Sequence, residues 1–405
     1  MGIEQRASGG AFGKLTLIGL ALAGLAVNAT LALLNRGSWN IDFNQYYAAG
    51  RLVGTGRLYD WDSIRAVELE HTTRTVTFTR IPAFAVAFKP LTWLPWTAAR
   101  GIWFGIGIAA LAGFVWLWPG INRGWASVAV LWSMPVALCL ATGQDSVLFL
   151  FFFALGLRLL QDGRDWWAGF VFSLCIAKPH LALLVPVLLI AQMRWKAIVS
   201  GAAGVIASIG VCFLSGEGSD WPHRLLTLTS QIDGHPLAGG LAAANFPPAE
   251  APERMPNLRG LLWFFGGGIP AEIVVGLIVV VAVWFISRKR SVPVSGTIAL
   301  AGGLLLSHHA YVYDALLLIP ALILPFLRGI RNAPRRVKPG GRAEALAPLK
   351  SWAVLLATPV AYLFTLANES RGMVMIGQMA ISGYVLVLIG VTLSRNMPER
   401  SPAAT

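Results

Sequence analysis

Charged residues are scarce in this chain: Asp, Glu, Lys and Arg make up 13% of its 405 residues, while hydrophobic residues make up 56%. A soluble protein of this length needs far more charge to cover its surface. The apolar residues come in nearly unbroken runs without the alternation of barrel strands, among them Lys14–Leu34, Trp125–Leu140 and Ile273–Ile286. Since roughly 20 apolar residues cross a bilayer as a helix, we predict an all-α polytopic membrane protein.

Cysteine is also scarce, and the motifs that hold metals or soluble nucleotides are missing. Cys139, Cys175 and Cys212 lie inside apolar runs, where a thiol serves as a small packing residue. The sequence has no P-loop, no G-x-S-x-G, no dinucleotide-binding fingerprint and no His-Glu-x-x-His. The adjacent His308 and His309 cannot easily bind one metal ion together. We therefore predict chemistry that requires neither a metal nor another cofactor.

Acidic residues are the scarcer charged class, with 19 Asp and Glu against 32 Lys and Arg and a formal net charge of +13. The basic residues lie in short loops between apolar runs rather than on one soluble face. This distribution argues against nucleic acid as a partner and matches the positive-inside pattern of cytoplasmic loops. Residues 192–196, 287–291 and 328–350 have this character. We predict that these loops and both termini face the cytoplasm.

Alternation from these loops predicts about twelve spans in a single transmembrane domain that covers residues 1–405. The predicted spans are 14–35, 98–119, 125–142, 145–161, 166–178, 179–193, 196–216, 262–286, 292–307, 310–327, 351–368 and 372–394. Two long segments, 36–97 and 217–259, then lie on the extracytoplasmic side. Within the first, residues 81–96 are apolar but carry three prolines and Lys89, which favours an interfacial or re-entrant helix.

With this topology the unusual polar residues gather at the extracytoplasmic face of a plasma-membrane protein. Ionisable groups near membrane depth are expensive to bury, so a one-sided set of them favours a functional site. The members of the set are Asp42, Gln144, Asp145, Lys178, His180, Asn257, His308, His309 and Asp314.

Asp42 has two interpretations. With Gln45 it has the spacing of a capping box that starts a helix continuing through Tyr46–Leu52. Alternatively, it is a general base that accepts a proton from an attacking hydroxyl. The two roles are compatible, because a carboxylate at a helix start stays ionised.

Lys178 also has two interpretations. It is the only lysine in its apolar stretch, so its side chain either snorkels to the interface or binds a lipid phosphate at that depth. Asp314 lies about one and a half helical turns beyond His309 and requires a buried partner, which the sequence does not identify.

Several short motifs follow one another along most of the chain. They are Asp42-x-x-x-Tyr46, Gly54-Thr-Gly56-Arg-Leu-Tyr59-Asp60, Pro82 with Lys89-Pro90 and Leu94-Pro95, Gly143-Gln144, Ala177-Lys178-Pro179-His180, Pro256-Asn257-Leu-Arg-Gly260, and His308 with Tyr313-Asp314. In this order they resemble the GT-C glycosyltransferases of family 87. Those relatives carry Asn-Gln-Ser in the second outer loop, where this chain has Asn257-Leu258-Arg259.

The resemblance implies a GT-C fold and a transferase whose donor is a polyprenyl-phosphate-linked sugar, often mannose. The best-known relatives are mannosyltransferases that act on phosphatidylinositol mannosides, and a carboxylate in their first outer loop is the base. The matching position here is Asp42. On this hypothesis Asp42 deprotonates a hydroxyl of a lipid or glycan acceptor, and that hydroxyl attacks the anomeric carbon with inversion.

The departing phosphate needs positive charge, so we expect electrostatic stabilisation to contribute most to catalysis. Lys178 and His180 are predicted to bind the donor phosphate, and one or both of His308 and His309 to assist the departure. The predicted substrate-binding residues are Tyr46, Gln144, Asn257, Arg259 and Asp314.

Two other functions fit the composition. A secondary transporter accounts for about twelve spans and intramembrane charge, but transporters usually show repeated halves and broken helices near the midplane. The sequence has no convincing internal repeat, and its polar residues gather at one face. A polymerase or ligase of surface glycans that uses the same lipid carriers is the nearer alternative.

Overall fold

The computed structural model describes residues 4–34, 39–232, 252, 255–324 and 371–394. All the secondary-structure elements within these ranges are helices, which confirms the all-α prediction. The predicted basic loop 328–350 and the predicted span 351–368 lie outside the described residues. Residues 233–251 of the second predicted outer segment also lie outside them.

The helices are numbered α1–α17 in the order in which they follow one another along the chain. The first half comprises α1 (Glu4–Leu34), α2 (Ile41–Leu52), α3 (Trp61–Glu68), α4 (Pro82–Phe88), α5 (Trp96–Leu117), α6 (Arg123–Trp132), α7 (Met134–Thr142), α8 (Ser146–Gln161) and α9 (Asp165–Ser173). The second half comprises α10 (Val185–Ala191), α11 (Trp195–Leu214), α12 (Trp221–Ile232), α13 (Leu258–Phe264), α14 (Ile269–Lys289), α15 (Val292–Leu306), α16 (Ile319–Ile323) and α17 (Arg371–Ser394). Short 3-10 helices occupy Lys89–Trp93, Leu174–Ala177 and Val312–Leu318.

Among the described helices, α5, α11 and α14 are long and apolar enough to cross a bilayer. The helices α6 and α7 form a fourth candidate span, which is bent by 64°. Several of the other predicted spans correspond to apolar helices of only 10–17 residues. The described helices therefore support membrane insertion, while their lengths do not confirm a count of about twelve spans.

The bend between α6 and α7 corrects the prediction of one continuous span over 125–142. Pro135 lacks the N–H group that would bond to the carbonyl of Leu131, so the helix breaks there. The Leu131 carbonyl instead accepts a hydrogen bond from Asn28 Nδ2 on α1 at 2.7 Å. The bend is thus stabilised by a side chain from the neighbouring helix.

One end of the helical bundle carries residues 39–95, the segment before α5. We call this end the site end. At this end the backbone N–H of Asn40 donates to the carbonyl of Ala141 at 2.8 Å, which joins the start of α2 to the last turn of α7. Glu217 accepts hydrogen bonds from the backbone N–H groups of Gly54 at 2.8 Å and Leu58 at 3.2 Å. The segment between α2 and α3 is thereby fixed against the segment between α11 and α12.

The opposite end, which we call the far end, contains the other helix connections. Here Arg194 lies 3.1 Å from Asp165, so the turn before α11 is paired with the start of α9. Arg290 donates to the carbonyl of Thr392 near the end of α17 at 3.2 Å. Basic side chains in these connections contact carboxylates and helix C-terminal carbonyls, as the helix dipole favours.

Candidate active site

Four buried side chains of opposite charge meet at the site end. Arg80 Nε and Nη2 lie 3.3 and 3.1 Å from the two carboxylate oxygens of Asp145. Lys178 Nζ lies 3.2 Å from Asp145 Oδ1 and 2.7 Å from Asp314 Oδ1. Each of the four side chains is at most 9% exposed. Two cations balance two carboxylates, and we call these four residues the ion-pair cluster.

The fold places the four residues where apolar helices begin or end. Arg80 precedes α4, and Asp145 directly precedes α8. Lys178 follows the 3-10 helix after α9, and Asp314 lies in the first turn of the 3-10 helix Val312–Leu318. Helix ends leave backbone groups without helical partners, so polar side chains are tolerated there more readily than mid-helix. Four separate chain segments therefore deliver one charge each to the same end of the bundle.

Asp314 finds in Lys178 the buried partner that it requires. Its Oδ1 also accepts a hydrogen bond from Ser146 Oγ at 2.5 Å, and its Oδ2 accepts one from the backbone N–H of Tyr311 at 3.0 Å. Lys178 Nζ in turn donates to Ser146 Oγ at 2.5 Å. An ammonium group has three donors, and the contacts with Asp145, Asp314 and Ser146 occupy them.

Two predicted substrate-binding residues connect the ion-pair cluster to α2. Gln144 Oε1 accepts from Arg80 Nη2 at 3.2 Å and from the hydroxyl of Tyr46. The same hydroxyl lies 3.1 Å from Asp145 Oδ1. Both side chains are buried, so each supports the cluster through contacts within the protein.

Asp42 lies beside this cluster and is buried. Asn40 is the N-cap residue of α2, so Asp42 occupies the first turn of the helix rather than the capping position that its spacing predicted. Asp42 Oδ1 accepts a hydrogen bond from Gln45 Nε2 at 3.0 Å. Burial raises the pKa of Asp42 to about 6, while the Thr142 hydroxyl and the charge of Lys178 partly oppose that rise.

A glycine allows α2 to lie this close to the turn between α7 and α8. Gly143 has a φ of +81°, which an L side chain rarely adopts. A Cβ atom at this position would lie 2.6 Å from Phe43 Cβ and 3.1 Å from its backbone nitrogen. The turn that carries Gln144 and Asp145 therefore packs directly against the first turn of α2.

Arg259 and His308 form a second polar group, which we call the basic pair and in which Arg259 carries the charge. Arg259 Nη1 lies 2.6 Å from His308 Nε2, and a guanidinium can only donate, so Nε2 is the acceptor. His308 Nδ1 then carries the proton and faces Glu272 Oε1 at 3.7 Å. The His308 side chain is 52% exposed, in contrast to the ion-pair cluster. The basic pair is thus accessible to a ligand.

Asn257 positions the basic pair. Its Oδ1 accepts from the backbone N–H of Gly260 at 2.9 Å and thereby caps α13. Its Nδ2 donates at 2.8 Å to the carbonyl of Ser307, the residue before His308. Because the side chain is fully buried and engaged in both bonds, it fixes the start of α13 against the end of α15.

The two remaining predicted residues, His180 and His309, are half-buried and lie near the ion-pair cluster. His309 Nε2 is 3.3 Å from the hydroxyl of Tyr311. His180 lies within electrostatic reach of both Lys178 and His309. Asp42 and His180 are thus each within electrostatic reach of Arg80 and Lys178, while the basic pair lies among α13, α14 and α15.

Sequence reasoning missed Arg80, Ser146 and Glu68, and left Glu272 without a role. Arg80 stands in a polar stretch before the apolar segment 81–96, where its charge resembles that of any loop arginine. Burial raises the pKa of Glu68 to about 9, and its Oε2 accepts from the backbone N–H of Val76 at 3.0 Å. Nothing in the sequence pairs these residues with their partners.

Comparison of the sequence with known families gives one match. The model of a family described as glycosyltransferase family 87 matches residues 78–320, which is more than half of the chain. The matched range contains the ion-pair cluster and the basic pair, and it begins after α2, which carries Asp42. No curated protein matches the chain.

Proposed function

Because the chain belongs to glycosyltransferase family 87, we propose that it transfers a hexose, mannose by its resemblance, from a polyprenyl-phosphate donor. The acceptor is a hydroxyl of a lipid or glycan on the extracytoplasmic side, and the anomeric configuration is inverted. One observation carries the proposal: the buried carboxylate of Asp42 has a raised pKa and lies beside a charge-balanced cluster at the site end.

Asp42 is the proposed general base. A pKa of about 6 leaves the carboxylate ionised at neutral pH while making it more basic than an ordinary aspartate. In the reaction Asp42 takes the proton of the acceptor hydroxyl as the new bond to the anomeric carbon forms. The bond from that carbon to the phosphate oxygen breaks, and its electron pair leaves with the polyprenyl phosphate.

The departing phosphate is proposed to contact the basic pair. The three donors of Lys178 are already occupied, so its proposed role is to hold Asp145 and Asp314 in place. Arg259 and His308 are more accessible, and an arginine binds phosphate oxygens through two parallel N–H groups. His180 and His309 are proposed to supply uncharged ring nitrogens as hydrogen-bond partners near the ion-pair cluster.

The charge of the far end supports an extracytoplasmic site. The described basic residues in the connections at that end, or in the helix turns next to them, are Arg123, Arg158, Arg164, Arg194, Lys196, Arg288, Lys289 and Arg290. Such an excess of Lys and Arg is typical of cytoplasmic loops. A site at the other end then meets lipid-linked sugars at the outer leaflet of the plasma membrane.

Donor choice tests the proposed function. We expect the purified protein in liposomes to consume radiolabelled polyprenyl-phosphate-mannose, at least by slow hydrolysis, and to leave nucleotide-linked mannose unchanged. The product is expected to have the opposite anomeric configuration to the donor. Use of the nucleotide-linked sugar, with no turnover of any polyprenyl-phosphate-linked hexose, would contradict the proposal.

Replacement of Arg259 tests the phosphate contact. We expect Arg259→Gln to raise the KM for the polyprenyl-phosphate donor about 10–100-fold, since a hydrogen bond to a charged group contributes about 1.5–3 kcal/mol. Steady-state kinetics with varied donor measure the change. Arg57→Gln is the matched control, because Arg57 is an exposed arginine elsewhere at the site end. Equal KM values for the two variants would remove Arg259 from the donor site.

A further inference from the structure

An apolar groove of about 530 Å³ opens between α1, α5, α6 and α7. Its volume lies within the range of roughly 300–1,000 Å³ that is usual for small-molecule sites. Leu25, Ile108, Leu111, Leu131 and Val136 are among the residues that line it. None of the roles assigned above uses this groove.

The bend between α6 and α7 shapes the groove. Ser133 at the break and Val136 in the first turn of α7 both line it. The hydrogen bond from Asn28 Nδ2 to the Leu131 carbonyl supports the bent geometry from the α1 side. The groove is therefore formed by a broken helix whose freed backbone carbonyl has a fixed partner.

The groove extends about one leaflet deep. Arg100 and Leu111 both line it and are eleven residues apart on α5, which corresponds to roughly 16 Å along the helix. One leaflet contributes about 15 Å of hydrocarbon. An acyl chain of a lipid fits such a depth, whereas a polyprenyl chain is longer than a leaflet is thick.

The upper end of the groove is polar. Trp39, Asn40, Thr97 and Arg100 line it near the site end. Arg100 lies 5.6 Å from the ring centre of Trp96 and has no carboxylate partner among the residues that the structure describes. An arginine beside a tryptophan at the interface suits the anionic headgroup of a lipid.

The groove meets the proposed active site on the side of the base. Asn40, Phe43 and Gly143 line the groove and flank Asp42 and Gln144 in the chain. The basic pair belongs to the other side of the site, where α13 packs against α14, α15 and α17. The proposed phosphate contacts therefore lie on residues that do not line the groove.

We propose that this groove binds an acyl chain of the acceptor, which is then a lipid whose headgroup offers a hydroxyl to Asp42 and a negative charge to Arg100. This inference rests on the proposed function, because only a sugar transfer makes the bound lipid an acceptor. The binding of an acyl-chain lipid in the groove can be tested without any turnover.

Photolabelling tests the inference. The probe is phosphatidylglycerol with a diazirine in one acyl chain, added to the full-length protein in phosphatidylcholine vesicles, and labelled positions are read by mass spectrometry. We expect labels on groove residues such as Leu131, and we expect them to fall several-fold in Ile108→Trp and in Ala137→Phe. Ile102→Trp is the matched control, because Ile102 and Ile108 are 45% and 46% exposed on α5 and only Ile108 lines the groove.

The outcomes separate the possible occupants. Labelling that is insensitive to both groove variants would identify surrounding bilayer lipid and overturn the inference. Labelling of the groove by a diazirine-bearing polyprenyl phosphate, with displacement of the phosphatidylglycerol probe, would assign the groove to the donor and also overturn it. Groove labelling in a protein that transfers no sugar would remove the proposed function and leave the lipid site standing.

Discussion

Asp42→Asn is expected to lower kcat about 10²–10⁴-fold, the usual contribution of a general base. Asparagine has nearly the same shape but cannot accept the proton of the acceptor hydroxyl. Its amide oxygen can still accept from Gln45 Nε2, so the first turn of α2 keeps that contact. The KM for the donor is expected to change little, because the proposed phosphate contacts lie in the basic pair. Single-turnover and steady-state transfer from a polyprenyl-phosphate-linked hexose measure both constants.

Asp62→Asn is the control for this change, because Asp62 lies exposed in the first turn of α3 in the same segment. The control variant is expected to match the wild type. If Asp42→Asn kept its turnover, Asp42 would be reduced to a structural residue at the start of α2. A folded Asp42→Asn protein, shown by unchanged size-exclusion behaviour and thermal unfolding, is required for the comparison.

The pH dependence of kcat/KM for the wild type is an independent test of the role of Asp42. Below its pKa the carboxyl group of Asp42 is protonated and cannot act as a base, so kcat/KM is expected to fall as the pH drops through about 6. An ordinary aspartate would place this limb near pH 4. The acid limb is therefore expected about two pH units higher than for an exposed aspartate. An acid limb near pH 4 would show that burial does not raise the pKa of the working base.

The helical fold was predictable because apolar runs leave few alternatives in a bilayer. The gathering of Asp42, Lys178 and Asp314 at one end was also predictable, since alternation from basic loops places those residues together. The pairing of Lys178 with Asp314 was not predictable, and Arg80 was missed altogether. Arg80 and Asp145 are separated by 64 intervening residues, and no local sequence pattern predicts that their side chains are in contact.

The individual spans were less predictable than the class of fold. Pro135 breaks the predicted span 125–142, but prolines at other positions, such as Pro293, lie at helix starts without breaking them. A proline inside a span leaves one carbonyl without its helical donor, and here Asn28 supplies a donor to Leu131. That partner comes from a different part of the chain, so the bend is a tertiary feature.

Lys178→Met is expected to destabilise the protein by about 3–5 kcal/mol, because it leaves two buried carboxylates without their shared cation. Asp145 retains Arg80, but Asp314 loses its ion-pair partner among the described residues. We expect a lower midpoint of thermal unfolding in detergent, together with loss of transfer activity. Lys196→Met is the matched control, because Lys196 is exposed at the far end. It is expected to leave the midpoint unchanged.

A second substitution distinguishes a positioning role from direct phosphate binding. If Lys178 acts by pairing with Asp314, the double variant Lys178→Met with Asp314→Asn removes the uncompensated charge, and part of the lost stability returns. If Lys178 instead binds the donor phosphate, as the family resemblance implies, the single variant folds normally and its KM for the donor rises. The Asp314→Asn change then restores nothing. Unfolding midpoints and donor KM values of the wild type, both single variants and the double variant decide between these roles, because only pairing couples the two residues in stability.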